Sequence, residues 1–194
     1  AILIGAHYDT QYRPEGFVGA NDSAAGTAAL IELARDLRSE LPANHREIRF
    51  VLFDGEEAPP GCRDRNFQVC ALRGSRAYAA AHPGQVDDMI LLDYIANRGL
   101  RIPREGNSDP ALWDQLRRAA SEAGAEDVFP AGTQTPIIDD HIPFLLQRIP
   151  SIDLIDWSYP YKNGDQDTID KLDPVELDAV GEAVAQLVLD LNGQ

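Results

Sequence analysis

The chain has 194 residues, 44% apolar and 25% charged, a length and balance suited to one soluble domain with a sizeable core. Lys and Arg number 17 against 32 Asp and Glu, a net charge of −15, which argues against the basic face that a nucleic-acid partner requires. No apolar run approaches the ~20 residues of a membrane span, so the acidic excess points to solubility or to carboxylates gathered around a metal.

Ala1–His7 (AILIGAH) reads as a strand. Because the chain starts inside this apolar run, we expect an N-terminal segment, with any targeting signal, to lie upstream. Asp22-Ser23 is a helix cap opening SAAGTAALIELARDLRSEL, which carries apolar residues at helical spacing. Glu47–Asp54 is the second strand. Cys62 and Cys70 follow in a polar stretch, close enough for a small disulfide of the kind exported proteins carry, the alternative being two separate thiols. GSRAYAAAH reads as a helix and Asp88–Tyr94 as the third strand. Ser108-Asp109-Pro110 opens the helix ALWDQLRRAASEAG, closed by Gly124. His141–Arg148 is a short helix and Ser151–Ile155 the fourth strand. Asp173-Pro174 with Glu176 caps the last helix, VELDAVGEAVAQLVLDL. Nearly continuous apolar strands alternating with amphipathic helices imply one three-layer α/β domain over residues 1–194, with helices covering both faces of the sheet.

In such sheets the ligand lies beyond the carboxyl ends of the strands. Acidic and imidazole groups recur there: His7-Tyr8-Asp9, Gly55-Glu56-Glu57, Asp93 and Asp156 follow the four strands in turn. His7, Asp22, Glu57 and Asp93 offer the nitrogen and oxygen donors that zinc prefers, and a two-metal site needs a bridging carboxylate with terminal ligands on either side. Glu56 is then the spare carboxylate, placed to act as general base while its neighbour holds metal, since successive residues of a strand edge point in different directions. No phosphate loop, dinucleotide turn or serine nucleophile elbow is present, and neither cysteine has an evident His partner.

The segments AHYDT (6–10), GANDSAAGTAALIELA (19–34), FDGEEA (53–58), LRGSRAYAA (72–80), LLDYI (91–95), DDHIPFL (139–145) and DTIDKLDP (167–174) together resemble the zinc-dependent aminopeptidase and glutaminyl cyclase superfamily, in family order and over nearly the whole chain. The resemblance implies a zinc exopeptidase-like domain with a mostly parallel, mixed central sheet and one or two zinc ions. It implies metal ligation by His7, Asp93 and Glu57, sharing of Asp22 between two metals, general-base work by Glu56, and an Asp9 carboxylate that orients the imidazole of His7. Asp139-Asp140-His141 resembles the cyclase version of its loop, which makes Asp139 a catalytic candidate and Asp93 a proton relay there. His141 is expected to make a structural or substrate-side hydrogen bond, with Trp157 and Tyr161 on the substrate side. His45 and His82 read as surface residues.

One position departs from the family pattern, in which a His, often preceded by Trp, supplies the last ligand. Here Lys162-Asn163 stands in its place. Asn163 is then a weak amide ligand, or its position passes to water, or a metal has been lost; Asp165 is a second candidate filler. The implied activity is removal of N-terminal residues from peptides with a free N-terminus. The alternatives are closure of N-terminal glutamine to pyroglutamate by the same site, and a metal-poor binding relative. Phe129, Tyr94, Trp157 and Tyr161 are the aromatic candidates for a specificity pocket.

Overall fold

The computed structural model describes residues 1–12, 14–62 and 66–193. Four strands, β1 (Ile2–His7), β2 (Ile48–Phe53), β3 (Asp88–Leu92) and β4 (Ser151–Leu154), form a sheet in the order β2-β1-β3-β4. All three pairings are parallel. The expected mixed sheet is therefore parallel throughout among the described strands: a helix intervenes between each strand and the next, returning the chain to the same edge.

The strand side chains alternate between two cores. Ile2, Ile4, Ala6, Ile90, Leu92, Ile152 and Leu154 pack against α1 (Gly26–Glu40), α4 (Pro110–Glu122) and α6 (Pro174–Asn192). Leu3, Met89 and Leu91 face the other way, with Phe53, Ala79 from α3 (Arg73–Ala81) and Phe144 from α5 (Ile142–Leu145). A single-turn helix, α2 (Phe67–Cys70), was not legible in the sequence; it ends at Cys70, which is disulfide-bonded to Cys62.

Two departures from sequence patterning build the site. The helix expected from Ser23 becomes regular only at Gly26; Ala20–Ala25 forms a wide irregular turn in which Asp22 is non-helical (φ −117°, ψ 80°). The buried Asp167 carboxylate takes the amides of Asn21 and Asp22 at 3.0–3.1 Å, and holds the turn open. Gly26 then lets the helix abut β3, since a Cβ there would lie 2.5 Å from the Leu92 carbonyl. Strand β3 stops at Leu92 rather than Tyr94 because Tyr94 is left-handed (φ 42°), which turns its ring back toward Asp22.

Candidate metal centre

The chain leaves β1 for β2 on one side of the sheet and later returns to β3 on the other, so the strand order reverses between β1 and β3. The crevice at such a point is where open α/β sheets place their ligands. His7 ends β1, Asp93 follows β3, and the open turn brings in Asp22. His7 Nε2 lies 3.1 Å from Asp22 Oδ1 and 3.6 Å from Asp93 Oδ1. Potential ligand atoms of these three buried residues all fall within 4.8 Å of one another. The His7 tautomer is set from behind: Nδ1 lies 3.0 Å from the Asp9 main-chain carbonyl. Donating there leaves the Nε2 lone pair facing the two carboxylates. The Asp9 carboxylate, expected to orient this ring, is 3.8 Å from Nδ1 and instead accepts the amides of Glu56 (3.1 Å) and Glu57 (3.2 Å).

The donors crowd one another electrostatically. Burial works against a charged imidazole at His7, but Asp22, Asp9 and Asp93 outweigh it and raise its pKa well above the usual value. Burial and then the Asp22 charge push Glu57 up to about 8, and burial pushes Asp93 up to about 6. Such a set is stable either with protons shared among its members or with a divalent cation between them. An imidazole nitrogen and two carboxylates converging in a buried crevice have the chemistry of a zinc site. The residues fit a metal at the His7–Asp22–Asp93 corner.

Glu56 is buried beside this corner, its pKa raised well above normal by burial and then by Asp139, with His7 partly opposing. Asp139 is itself pushed up to about 7 by burial and the Asp93 charge. Asp140, bonded by the Ser75 hydroxyl, rises to about 7 for the same first reason. A cleft of about 730 Å³ opens onto the corner, lined by Glu56, Glu57, Phe67, Tyr94, Asp139 and Trp157 among others.

Other expected residues fall elsewhere. His141 is fully buried and does not line the cleft; its Nε2 faces Glu105 at 3.1 Å and its Nδ1 faces Asp153 at 3.7 Å. Glu105 is tied by the amides of Asn107, Ser108 and Ile137. Burial raises its pKa, but His141 and these amides outweigh that and hold it below normal. Tyr161 packs edge-on against Tyr159 beneath Lys171, not in the cleft, and Phe129 packs on Trp113 in the core. Asp156, at the end of β4, binds Asn97 and Ser158 and is structural. Trp157 and Asn163 do line the cleft, Asn163 within 3.4 Å of the Tyr94 hydroxyl. Glu105 and Asp153 escaped sequence reading, although a charged residue inside the apolar run SIDLI was a visible signal for Asp153.

The sequence profile of peptidase family M28 matches residues 1–188. A glutaminyl-peptide cyclotransferase of Bothrops jararaca is 29% identical over 223 residues, which cover 90% of this chain and 59% of that relative. The chain thus spans under two thirds of the length of that relative. Among solved structures, a glutaminyl cyclase of an Acidobacteriales bacterium superposes with a TM-score of 0.87 at 32% identity, covering 99% of this chain and 69% of that one. A leucine aminopeptidase precursor from Bacteroides thetaiotaomicron superposes with a TM-score of 0.85 at 27% identity, covering 97% and 71%. With the profile spanning all but the last six of 194 residues, the chain belongs to peptidase family M28.

Proposed function

We propose that this chain is the catalytic domain of a zinc-dependent glutaminyl-peptide cyclotransferase, which closes an N-terminal glutamine to pyroglutamate and releases ammonia. The observation that carries this reading is the buried Glu56–Asp139 pair, two carboxyls whose pKa values are both raised, facing the cleft beside the metal corner. Cyclisation needs a group that takes a proton from one nitrogen and gives it to another, and a carboxyl with a raised pKa suits both halves. His7, Asp22 and Asp93 would hold the ion, which when bound polarises the side-chain amide of the substrate.

The chain's own residues do the rest. As the N-terminal amine nitrogen bonds to the side-chain amide carbon, the Glu56 carboxylate takes a proton from that amine. It returns the proton to the departing nitrogen, which leaves as ammonia, so atoms and charge balance. Asp139, whose charge helps keep the Glu56 pKa raised, favours return of the proton to that carboxylate between the two transfers. Phe67, Tyr94 and Trp157 give the cleft an apolar wall that narrows access around the amide.

Aminopeptidase activity, the preference on sequence, retains one specific support: the likeness to the leucine aminopeptidase precursor is nearly as close as that to the cyclases. Incubating zinc-loaded protein with glutaminyl-β-naphthylamide and leucyl-p-nitroanilide separates the two. Pyroglutamyl product without leucine release supports the cyclase; leucine release without pyroglutamyl product overturns it. The substrate is a peptide with a free N-terminal amine, which an acidic site attracts, and the net charge of −15 disfavours a nucleic-acid partner. We read the Cys62–Cys70 disulfide as the mark of an oxidising compartment, hence export. No helix is long and apolar enough to cross a membrane among the described residues.

A further inference from the structure

We propose that a cavity of about 660 Å³ beside the metal cleft is a subsite for the second residue of the peptide and selects an aromatic or large aliphatic side chain there. The inference rests on the cyclase reading above and deepens it by naming the peptides that the domain prefers.

The cavity lies outside the catalytic cleft yet is continuous with it, since Gln11, Glu57 and Ala58 line both. A peptide that puts its first residue at the metal corner must lead the rest of its chain out of the cleft. Over this shared sill the next residue, about 3.3–3.6 Å further along an extended chain, enters the cavity. Gln11 supplies a polar group at the crossing. Its Nε2 is buried and has no acceptor among the described residues, which leaves a hydrogen bond unmade. The last torsion of a glutamine side chain is broad, so a small rotation aims this NH₂ group at the carbonyl of the substrate's first peptide bond.

Beyond the sill the walls are apolar and rigid. Pro59-Pro60-Gly61-Cys62 is a tight turn, with the Cys62 amide 3.0 Å from the Pro59 carbonyl and Gly61 at φ 91°. The proline rings fix their own φ, and glycine supplies the positive φ that such a turn requires. Both ends of the segment are tied down. Cys62 is disulfide-bonded to Cys70, and Arg73 Nη1 donates to the carbonyls of Glu57 (3.1 Å) and Cys70 (2.9 Å). A wall fixed before the ligand arrives adds little ordering cost to binding. Tyr12 also lines the cavity, with 66% of its surface exposed and its ring free to cover a ligand. Two proline rings and a phenol ring suit a flat or bulky apolar side chain. Glu15, a further lining residue, is exposed to solvent.

The test compares the peptide amides Gln-Phe-Ala and Gln-Gly-Ala on zinc-loaded protein, with loss of each followed by mass spectrometry. In the wild type we expect a KM about tenfold lower for the phenylalanine peptide, the low end of what burying a phenyl group brings, with kcat within about threefold. Tyr12→Ala, at an exposed position whose truncation spares the core, should cut that preference to below about threefold. Gln11→Ala should raise KM for both peptides by about threefold to tenfold, the worth of one hydrogen bond, with kcat little changed. Equal KM values in the wild type, a full preference retained in Tyr12→Ala, or an unmoved KM in Gln11→Ala would each overturn the subsite while leaving the cyclase reading intact. Hydrolysis of the first peptide bond in place of cyclisation would overturn that reading, and the same KM ratio would still support or overturn the subsite. Loss of neither peptide would overturn both.

Discussion

Asp9 joins the two halves of the site, which makes Asp9→Ala an informative perturbation. Its carboxylate takes the amides of Glu56 and Glu57, while its carbonyl takes His7 Nδ1. Hydrogen bonds to a charged acceptor contribute about 1.5–3 kcal/mol each. Asp9 is half-buried, so screening places both at the low end, and losing the two together costs about 3 kcal/mol. The carbonyl of residue 9 survives the substitution, so the His7 tautomer is kept. Zinc affinity should then fall only about tenfold, the lower limit for loss of a supporting group. The turn that aims Glu56, in contrast, loses its acceptor, and turnover should fall more than affinity does. Thermal unfolding of metal-free protein, zinc affinity by competition with a chelating dye, and kcat separate the three effects. Asp9→Asn, which keeps one acceptor oxygen, should fall between wild type and Asp9→Ala in all three. If stability drops by the expected amount while kcat stays within threefold of wild type, Asp9 does not position Glu56 and the reasoning fails.

Three further outcomes follow from the same geometry. Glu56→Gln should retain zinc yet lose about 10²–10⁴-fold in kcat, the usual worth of a general acid–base group; loss of zinc in that variant would make Glu56 a ligand instead. His141→Phe removes the imidazole facing the buried Glu105 and Asp153. It should destabilise the fold by about 3 kcal/mol or more, read in urea unfolding, and His141→Gln should recover part of that; an unchanged midpoint contradicts a bracing role. Asp93, Asp139 and Asp140 have folded pKa values raised to about 6, 7 and 7. In metal-free protein the stability from their retained protons is fully present below the ordinary carboxylate range and is lost as pH rises through 6–7. Each such proton changes stability by about 1.4 kcal/mol per pH unit. Melting in EDTA should therefore drop between pH 5 and 7 and go on falling toward pH 8, where Glu57 also gives up its proton, whereas zinc, which competes with those protons, should bind more tightly as pH rises. A melting temperature in EDTA that climbs over that interval argues against buried, protonated carboxyls.

How much was legible in sequence depended on whether a residue's role is local. The four strands, α1, α4 and α6 announce themselves through periodicity and caps, and the strand order places His7 and Asp93 together because both sit at carboxyl ends. Asp22 was legible as a candidate but its conformation was not: Asp167, far along the chain, sets it, and no local propensity encodes that contact. The left-handed turn at Tyr94 is likewise unreadable from the preference of tyrosine, since packing overrides it. His141 was placed near the site by sequence adjacency to Asp139, yet the short α5 turn sends it inward to Glu105. Such long-range pairing is a tertiary property, visible in one sequence only as a charged residue in an apolar run.

The most direct test of the account is mass spectrometry of a peptide with N-terminal glutamine, incubated with zinc-loaded wild type and with Glu56→Gln. The account predicts loss of ammonia from the N-terminus with every peptide bond intact in the wild type, and an unchanged peptide with the variant. Release of the N-terminal residue, or an unchanged peptide with wild-type protein whose zinc is bound, would contradict it.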